Sequence, residues 1–177
     1  MRKLTVGILC MVCLIGATVM GFANEQNLLK NSGFEEFDSD NKIIGWRPIN
    51  CEGSADSEIK YQGDFSGKIL IQARQKRDGM WWQSILGTIE GSTTYNIVAW
   101  VRRDDPKSVI QFKVEWYDAE MNHVDELFSP LFRGRAGVWE KITWQVKTPA
   151  KAKNVNFMMR YPVGPGELWF DDVYFGK

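Results

Sequence analysis

Tyr95-Asn96-Ile97-Val98-Ala99-Trp100-Val101 and, one turn later, Val109-Ile110-Gln111-Phe112-Lys113-Val114-Glu115-Trp116-Tyr117 change character at every second residue. Tyr95, Ile97, Ala99 and Val101 fall on one side of the first segment. In the second, Ile110, Phe112, Val114 and Trp116 oppose Gln111, Lys113, Glu115 and Tyr117. A period of two with β-branched and aromatic residues predicts strands with one face on a core and the other toward solvent. Working outward, similar runs occur at Ser66 to Ala73, Met80 to Ile85, Trp139 to Val146, Val155 to Tyr161 and Leu168 to Phe175. Turn chemistry separates them: Gly63-Asp64, Arg77-Asp78-Gly79, Glu90-Gly91-Ser92, Asp104-Asp105-Pro106, Arg133-Gly134-Arg135 and Pro162 to Gly166. At least seven strands without a helical pattern predict an all-β fold, a two-sheet antiparallel β-sandwich of the jelly-roll kind.

The N-terminus reads differently. Arg2 and Lys3 precede an uncharged, largely apolar run from Leu4 to Phe22 that ends in Gly21-Phe22-Ala23, the layout of a secretory signal peptide over residues 1–23. The competing reading is an N-terminal membrane anchor. No lipoprotein box precedes Cys10 or Cys13, so lipid attachment is not expected. A single domain is expected over residues 24–177, a size that buries about 68–70% of its unfolded surface in one core. Cys51 is then the only cysteine left, which excludes an internal disulfide in an exported chain. A formal net charge of zero over 177 residues argues against a nucleic-acid surface. The single histidine, His123, excludes multi-His zinc sites, and no nucleophile-elbow serine accompanies it.

The order of short motifs adds a family resemblance. Asn27-Leu28-Leu29-Lys30-Asn31-Ser32-Gly33-Phe34-Glu35 and Gly45-Trp46 open the series. Phe65-Ser66-Gly67-Lys68, Trp82-Gln83, Gly91-Ser92-Thr93-Thr94-Tyr95 and Ala99-Trp100-Val101 follow. Trp139-Glu140-Lys141-Ile142 and Trp169-Phe170-Asp171-Asp172-Val173 close it. This series resembles the carbohydrate-binding modules appended to bacterial xylanases and endoglucanases, of the galactose-binding-domain-like superfamily, over residues 27 to 175. The resemblance implies a jelly roll that binds sugar polymers in a cleft on one sheet and holds a structural calcium ion. Glu35 and Asp171 match the family's calcium ligands, and the turn Gly63 to Lys68 would add oxygens, with Asp64 the candidate. Read without the resemblance, Asp171 is a solvated strand end and Glu35 an exposed turn residue. Asp38-Ser39-Asp40-Asn41-Lys42-Ile43 lacks the acidic fifth and glycine sixth positions of a calcium loop.

Sugar recognition needs flat aromatic rings together with amides, carboxylates and guanidinium groups on one surface, which the outward side of a strand can supply. The candidates are Gln111, Glu115 and Tyr117 on one strand, Asn156 and Arg160 on a second, and Trp81, Trp82 and Gln83 on a third. Adjacent tryptophans point to opposite faces, so one of Trp81 and Trp82 is expected to meet the ligand. Trp46, Trp116, Trp144 and Trp139 are expected in the packing, and Trp100 on an outer face or under a loop. A glycosidase needs two carboxyls on one surface. Asp118 and Glu120 lie at odd offsets from Glu115, and Asp171 and Asp172 are adjacent, so neither run presents a pair while extended.

The expected protein is therefore secreted and non-catalytic. It binds a polysaccharide of the xylan or β-glucan type, without nucleic acid and without a membrane after signal cleavage. A separate glycoside hydrolase or a cell-surface assembly is its expected associate. The alternative is a cell-surface structural or protein-interaction domain with the same fold, and a small glycoside hydrolase is the weaker competitor.

Overall fold

A computed structural model describes residues 26–72, 78–163 and 165–177; residues 1–23, the expected signal peptide, and Ala73 and Arg77 lie outside the described residues. Ten strands follow in chain order: β1 (Arg47–Ile49), β2 (Glu52–Asp56), β3 (Ser66–Ile71), β4 (Gly79–Ile85) and β5 (Thr94–Arg103), then β6 (Val109–Tyr117), β7 (His123–Phe128), β8 (Glu140–Lys147), β9 (Asn154–Val163) and β10 (Gly166–Gly176). They form two antiparallel five-stranded sheets, β1-β4-β9-β6-β7 and β2-β3-β10-β5-β8. The result is the β-sandwich read from the sequence, with the crossovers of a jelly roll.

The alternating strands behave as their period requires. Tyr95, Ile97, Ala99 and Val101 of β5 and Ile110, Phe112, Val114 and Trp116 of β6 are all fully buried. Aromatic rings interlock the two sheets: Phe175 of β10 meets Phe157 of β9 at 5.7 Å and Trp116 at 6.4 Å between ring centroids. Trp46 is buried as expected, whereas Trp144 and Trp139 are half-buried. Trp100 lies under a loop, stacked 3.9 Å beneath the ring of Tyr61.

Three strands carry little sequence signal. β1 has three residues around Pro48 and sits at a sheet edge, where proline's missing N–H is tolerated. β2 holds Gly53 against Trp81, and its short, polar sequence shows no apolar alternation. β7 begins at His123, directly after the turn Asp118 to Asn122, which is closed by the amides of Met121 and Asp118. A register shift opposite Trp116 and Tyr117 breaks the alternation of β7 and hides it from a period-two reading.

The N-terminal motif is a clamp. Asn31 donates its side-chain amide to the carbonyls of Glu36 and Ile44 and accepts the Glu36 amide, while the Trp46 indole donates to the Asn31 carbonyl at 2.8 Å. Phe34 is held at φ 64°, an uncommon backbone state for a bulky residue, with its ring fully buried. Gly67 makes this possible, since a Cβ there would sit 2.3 Å from the Phe34 ring. The clamp fixes the direction of Glu35, and Asn27 ties the same segment to β10 by donating to the Val173 carbonyl at 2.8 Å.

Candidate functional site

The outward face of the β1-β4-β9-β6-β7 sheet forms a cleft of about 440 Å³, lined by Arg47, Ile49, Met80, Trp82, Lys113, Glu115, Phe128, Met158 and Arg160. Its rows follow from strand register. Arg47, Trp82, Met158, Lys113 and Phe128 are successive cross-strand partners over all five strands, a row of about 19 Å at 4.8 Å per strand step. A second row is Ile49, Met80, Arg160 and Gln111, and a third is Ser84, Asn156, Glu115 and Glu126. Tyr117 ends the face, with His123 edge-on to its ring at 5.6 Å. The middle row thus sets Trp82, Met158 and Phe128 among the cations Arg47 and Lys113, and the rows beside it add the hydrogen-bonding groups of Gln111, Arg160, Ser84, Asn156 and Glu115.

Of the residues expected to bind sugar, Trp82, Gln111, Glu115, Tyr117, Asn156 and Arg160 share this face and are half-buried. Trp81 and Gln83 do not. Trp81 is 1% exposed and packs 5.9 Å from Phe34, so the choice between adjacent tryptophans falls on Trp82. Gln83 is buried because its amide pairs both ways with Lys30, accepting the backbone N–H at 2.7 Å and donating to the carbonyl at 3.0 Å. Both corrections have one cause: inward positions of β4 alternate with outward ones, and the expected set spanned both faces.

Sequence reading did not place Arg47, Ile49, Met80, Phe128 or Glu126 in the site. Arg47 and Ile49 lie on β1, and Glu126 and Phe128 on β7, the strands whose pattern is too short or too broken to read. Met80 is an apolar side chain on the outer face of β4, and pattern alone assigns such a residue to a core.

A web of polar contacts holds the cleft in shape. Lys113 pairs with Glu115 and with Glu126, each at 2.7 Å, and its ammonium lies 5.1 Å from the centre of the Phe128 ring. Arg160 pairs with Asp78, donates to Gln111 and stacks on Phe128 from 5.0 Å. Tyr117 donates to Glu115 at 3.1 Å, and Ser84 donates to Asn156. Partial burial by itself raises the pKa of Glu115, but Lys113 and the hydrogen bonds from Asn156 and Tyr117 outweigh it and hold the carboxyl below its ordinary value. Glu115 therefore contributes stability that is present above an ordinary glutamate pKa of about 4.3 and is lost as pH falls through its lowered folded value. Lys113 moves the opposite way. Burial lowers it, and its two glutamates more than compensate, so its pKa is raised.

The same web presents the two carboxylates that one strand alone could not. Glu115 and Glu126 are direct cross-strand partners, and one ammonium lies within 2.7 Å of each. Retaining glycosidases place two carboxyls at about 5–5.5 Å. A general acid, however, needs a pKa raised toward neutrality, and Glu115 is shifted the other way.

At the far side of the molecule, Glu35 and Asp171 converge from the two ends of the chain on the loop 61–65. Asp171 is 1% exposed and accepts the amides of Tyr61 at 2.8 Å and Gln62 at 3.0 Å. Glu35 accepts those of Asp64 at 3.0 Å and Phe65 at 3.2 Å. A Cβ at Gly33 would lie within 4.0 Å of an oxygen from each carboxylate. A register shift after Asp171, with Asp172 at φ 45°, turns this end of β10 toward the loop. Burial raises the pKa of Asp171, the three amides bonded to it lower it, and the charge of Asp172 raises it further. Asp171 has no ion-pair partner among the described residues. A buried, unpaired carboxylate beside a second one fits a hard cation with oxygen ligands. Asp64 departs from expectation: it is exposed and meets Glu35 through its amide, not its carboxylate. Among the described residues no group of three or more His, Cys, Asp or Glu side chains is placed to hold a metal.

Comparison with known proteins gives one family and one fold. The family described as "Carbohydrate binding domain" matches residues 26–164. No curated protein matches the chain. Among solved structures, the Family 16 Carbohydrate Binding Module-2 superposes with a TM-score of 0.64 at 18% identity, covering 85% of this chain and 100% of that one. The CBM22-1 xylan-binding domain of Paenibacillus barcinonensis Xyn10C gives 0.63 at 15% identity, covering 86% and 94%. The enzymatically active domain of tailspike protein 4 of bacteriophage CBA120 gives 0.64 at 11% identity; 85% of this chain is covered, but only 21% of that one. At these identities the structural likeness is one of fold.

Proposed function

The chain belongs to this family of carbohydrate-binding domains, and from that premise we propose that it binds a polysaccharide of the xylan or β-glucan type along the β1-β4-β9-β6-β7 cleft without cleaving it. The carrying observation is Trp82, an accessible ring on an open floor with Gln111, Glu115, Asn156 and Arg160 on the same face. A pyranose face stacks on the ring, and the flanking side chains exchange hydrogen bonds with its hydroxyls. That one solved neighbour is a xylan-binding domain supports xylan as the first polymer to try.

Recognition of this kind is non-catalytic. The lowered pKa of Glu115 keeps that carboxyl ionised, so it is not a general acid and serves as a hydrogen-bond acceptor for sugar hydroxyls. The protein is exported by residues 1–23 and acts outside the cell, where it serves a separate glycoside hydrolase or a surface assembly.

The test is affinity electrophoresis of residues 24–177 through gels containing xylan, mixed-linkage β-glucan, glucomannan or hydroxyethylcellulose, with a reducing-sugar assay on the same polymers. Retardation in at least one gel without release of reducing ends is expected. A folded protein that runs freely in all four overturns the reading in favour of a protein-interaction domain, and polymer cleavage overturns the non-catalytic part.

Calcium belongs to the same reading, as a scaffold ion held by Glu35, Asp171 and oxygens of the 61–65 loop, remote from the cleft. It would cancel the charge buried at Asp171 and fasten the loop to both chain ends. Calcium in hundredfold excess over its dissociation constant stabilises by about 2.7 kcal/mol, which for a domain of this size raises Tm by roughly 5–10 °C. Melting curves in calcium and in chelator measure this directly. Asp171→Asn is expected to abolish the difference, and coincident curves for the wild-type protein remove the metal from the account.

A further inference from the structure

The charges of the cleft do not balance locally. Arg160 is paired with Asp78, and Lys113 is shared by Glu115 and Glu126, so the β7 side carries one more carboxylate than ammonium. Arg47, at the β1 edge, has no carboxylate partner among the described residues. Its guanidinium rests 5.4 Å from the centre of the Trp82 ring, and the residue is exposed. An unpaired guanidinium beside the stacking ring, with excess negative charge at the opposite side of the same cleft, selects a ligand in two ways. It attracts an anionic group at β1, and it repels one at β7.

Resting on the glycan-binding reading of this cleft, we propose that the preferred ligand is a polysaccharide bearing uronate carboxylates, placed so that a uronic acid lies at Arg47 while neutral sugars cross the Glu115–Glu126 side. The planar guanidinium can meet a carboxylate with two parallel N–H···O bonds, a geometry that a neutral hydroxymethyl group cannot reproduce. Arg47 lies next to Trp82 in the cross-strand row, so the sugar that stacks on Trp82 or its immediate substituent carries the carboxylate to the guanidinium. The polarity of the cleft also sets which way round the ligand lies.

The probes are glucuronoxylan and polygalacturonate, each compared with its carboxyl-reduced form, which keeps the backbone and removes the charge. Dissociation constants are measured for residues 24–177 by affinity electrophoresis at low salt and at about 0.5 M salt, where exposed charges farther apart than a few ångströms are screened. At least one native polymer is expected to bind about tenfold tighter than its reduced form, with the preference shrinking at high salt. Arg47→Gln is expected to bind the native and reduced forms equally, and Arg47→Lys to keep part of the preference. Equal binding of native and reduced polymers by the wild-type protein overturns the uronate proposal and leaves the glycan reading standing. So does an Arg47→Gln variant that keeps the full preference. Failure to bind all four of these polymers and the neutral ones named above overturns both.

Discussion

Trp82→Ala loses retention on polysaccharide while its Tm stays close to that of the wild-type protein. The residue is half-buried on the cleft floor, and the ring partner shown for it is the guanidinium of Arg47. Its removal opens no hole in the core, but it takes away the aromatic surface on which a sugar stacks. A central aromatic anchor costs at least about 2 kcal/mol when truncated, or roughly thirtyfold in affinity. Trp81→Ala is the control that separates the two neighbours. Trp81 is 1% exposed, so its truncation leaves a cavity worth about 3–5 kcal/mol and lowers Tm by roughly 10 °C or more. Calorimetric titration and thermal melts on both variants check this. If Trp82→Ala binds as well as wild type, the cleft assignment is wrong.

The second large effect is on stability and concerns Arg103 at the end of β5. Its side chain is fully buried and donates to the carbonyls of Ser108 and Phe132, while Nη2 faces Glu140 at 3.5 Å. Burial lowers the pKa of this guanidinium and the charge of Glu140 raises it, burial being the larger influence. Nε and Nη2 have no hydrogen-bond partner among the described residues, so Glu140 supplies the compensating charge. Glu140→Gln leaves a buried cation uncompensated, which costs about 3–5 kcal/mol and lowers Tm by roughly 10 °C. Adding Arg103→Met recovers much of that loss, because a buried ion pair replaced as a whole by well-packed apolar atoms is close to neutral. Strictly additive losses in the double variant would show that the pair is not coupled. The contact between Glu140 and the exposed Arg135 does not disturb this comparison, since surface pairs contribute little.

The sheets were legible where one strand face is buried and the other wet. β5, β6 and β9 have long alternating runs, and for them the inward and outward sets follow from parity alone. Parity also says that Trp81 and Trp82 face opposite ways. It does not say which one faces out, because both are tryptophan and both flanks of β4 are mixed; that choice is made by Phe34 and Gly53 packing on Trp81. Gln83 was misplaced for a related reason, since its buried amide is satisfied by Lys30, 53 positions away in the chain. Arg47 and Phe128 bracket the cleft from edge strands, where short length and a register shift erase the period. The Glu115–Glu126 pair is a cross-strand relation, and no spacing within either strand encodes it. The convergence of Glu35 and Asp171 was reachable only through the motif series that resembles the family, because 136 residues separate them and neither has a local pattern that points to the other.

The position of the sugar decides between the two sheets. Two-dimensional ¹H–¹⁵N spectra of residues 24–177, titrated with xylohexaose and then cellohexaose, resolve the tryptophan indole N–H signals one by one. The account predicts that the Trp82 indole and the backbone amides of β4, β6 and β9 shift with ligand, while the indoles of Trp100 and Trp139, beside Tyr61 on the other sheet, stay in place. Shifts centred on Trp100 and Trp139 with Trp82 unmoved would contradict it.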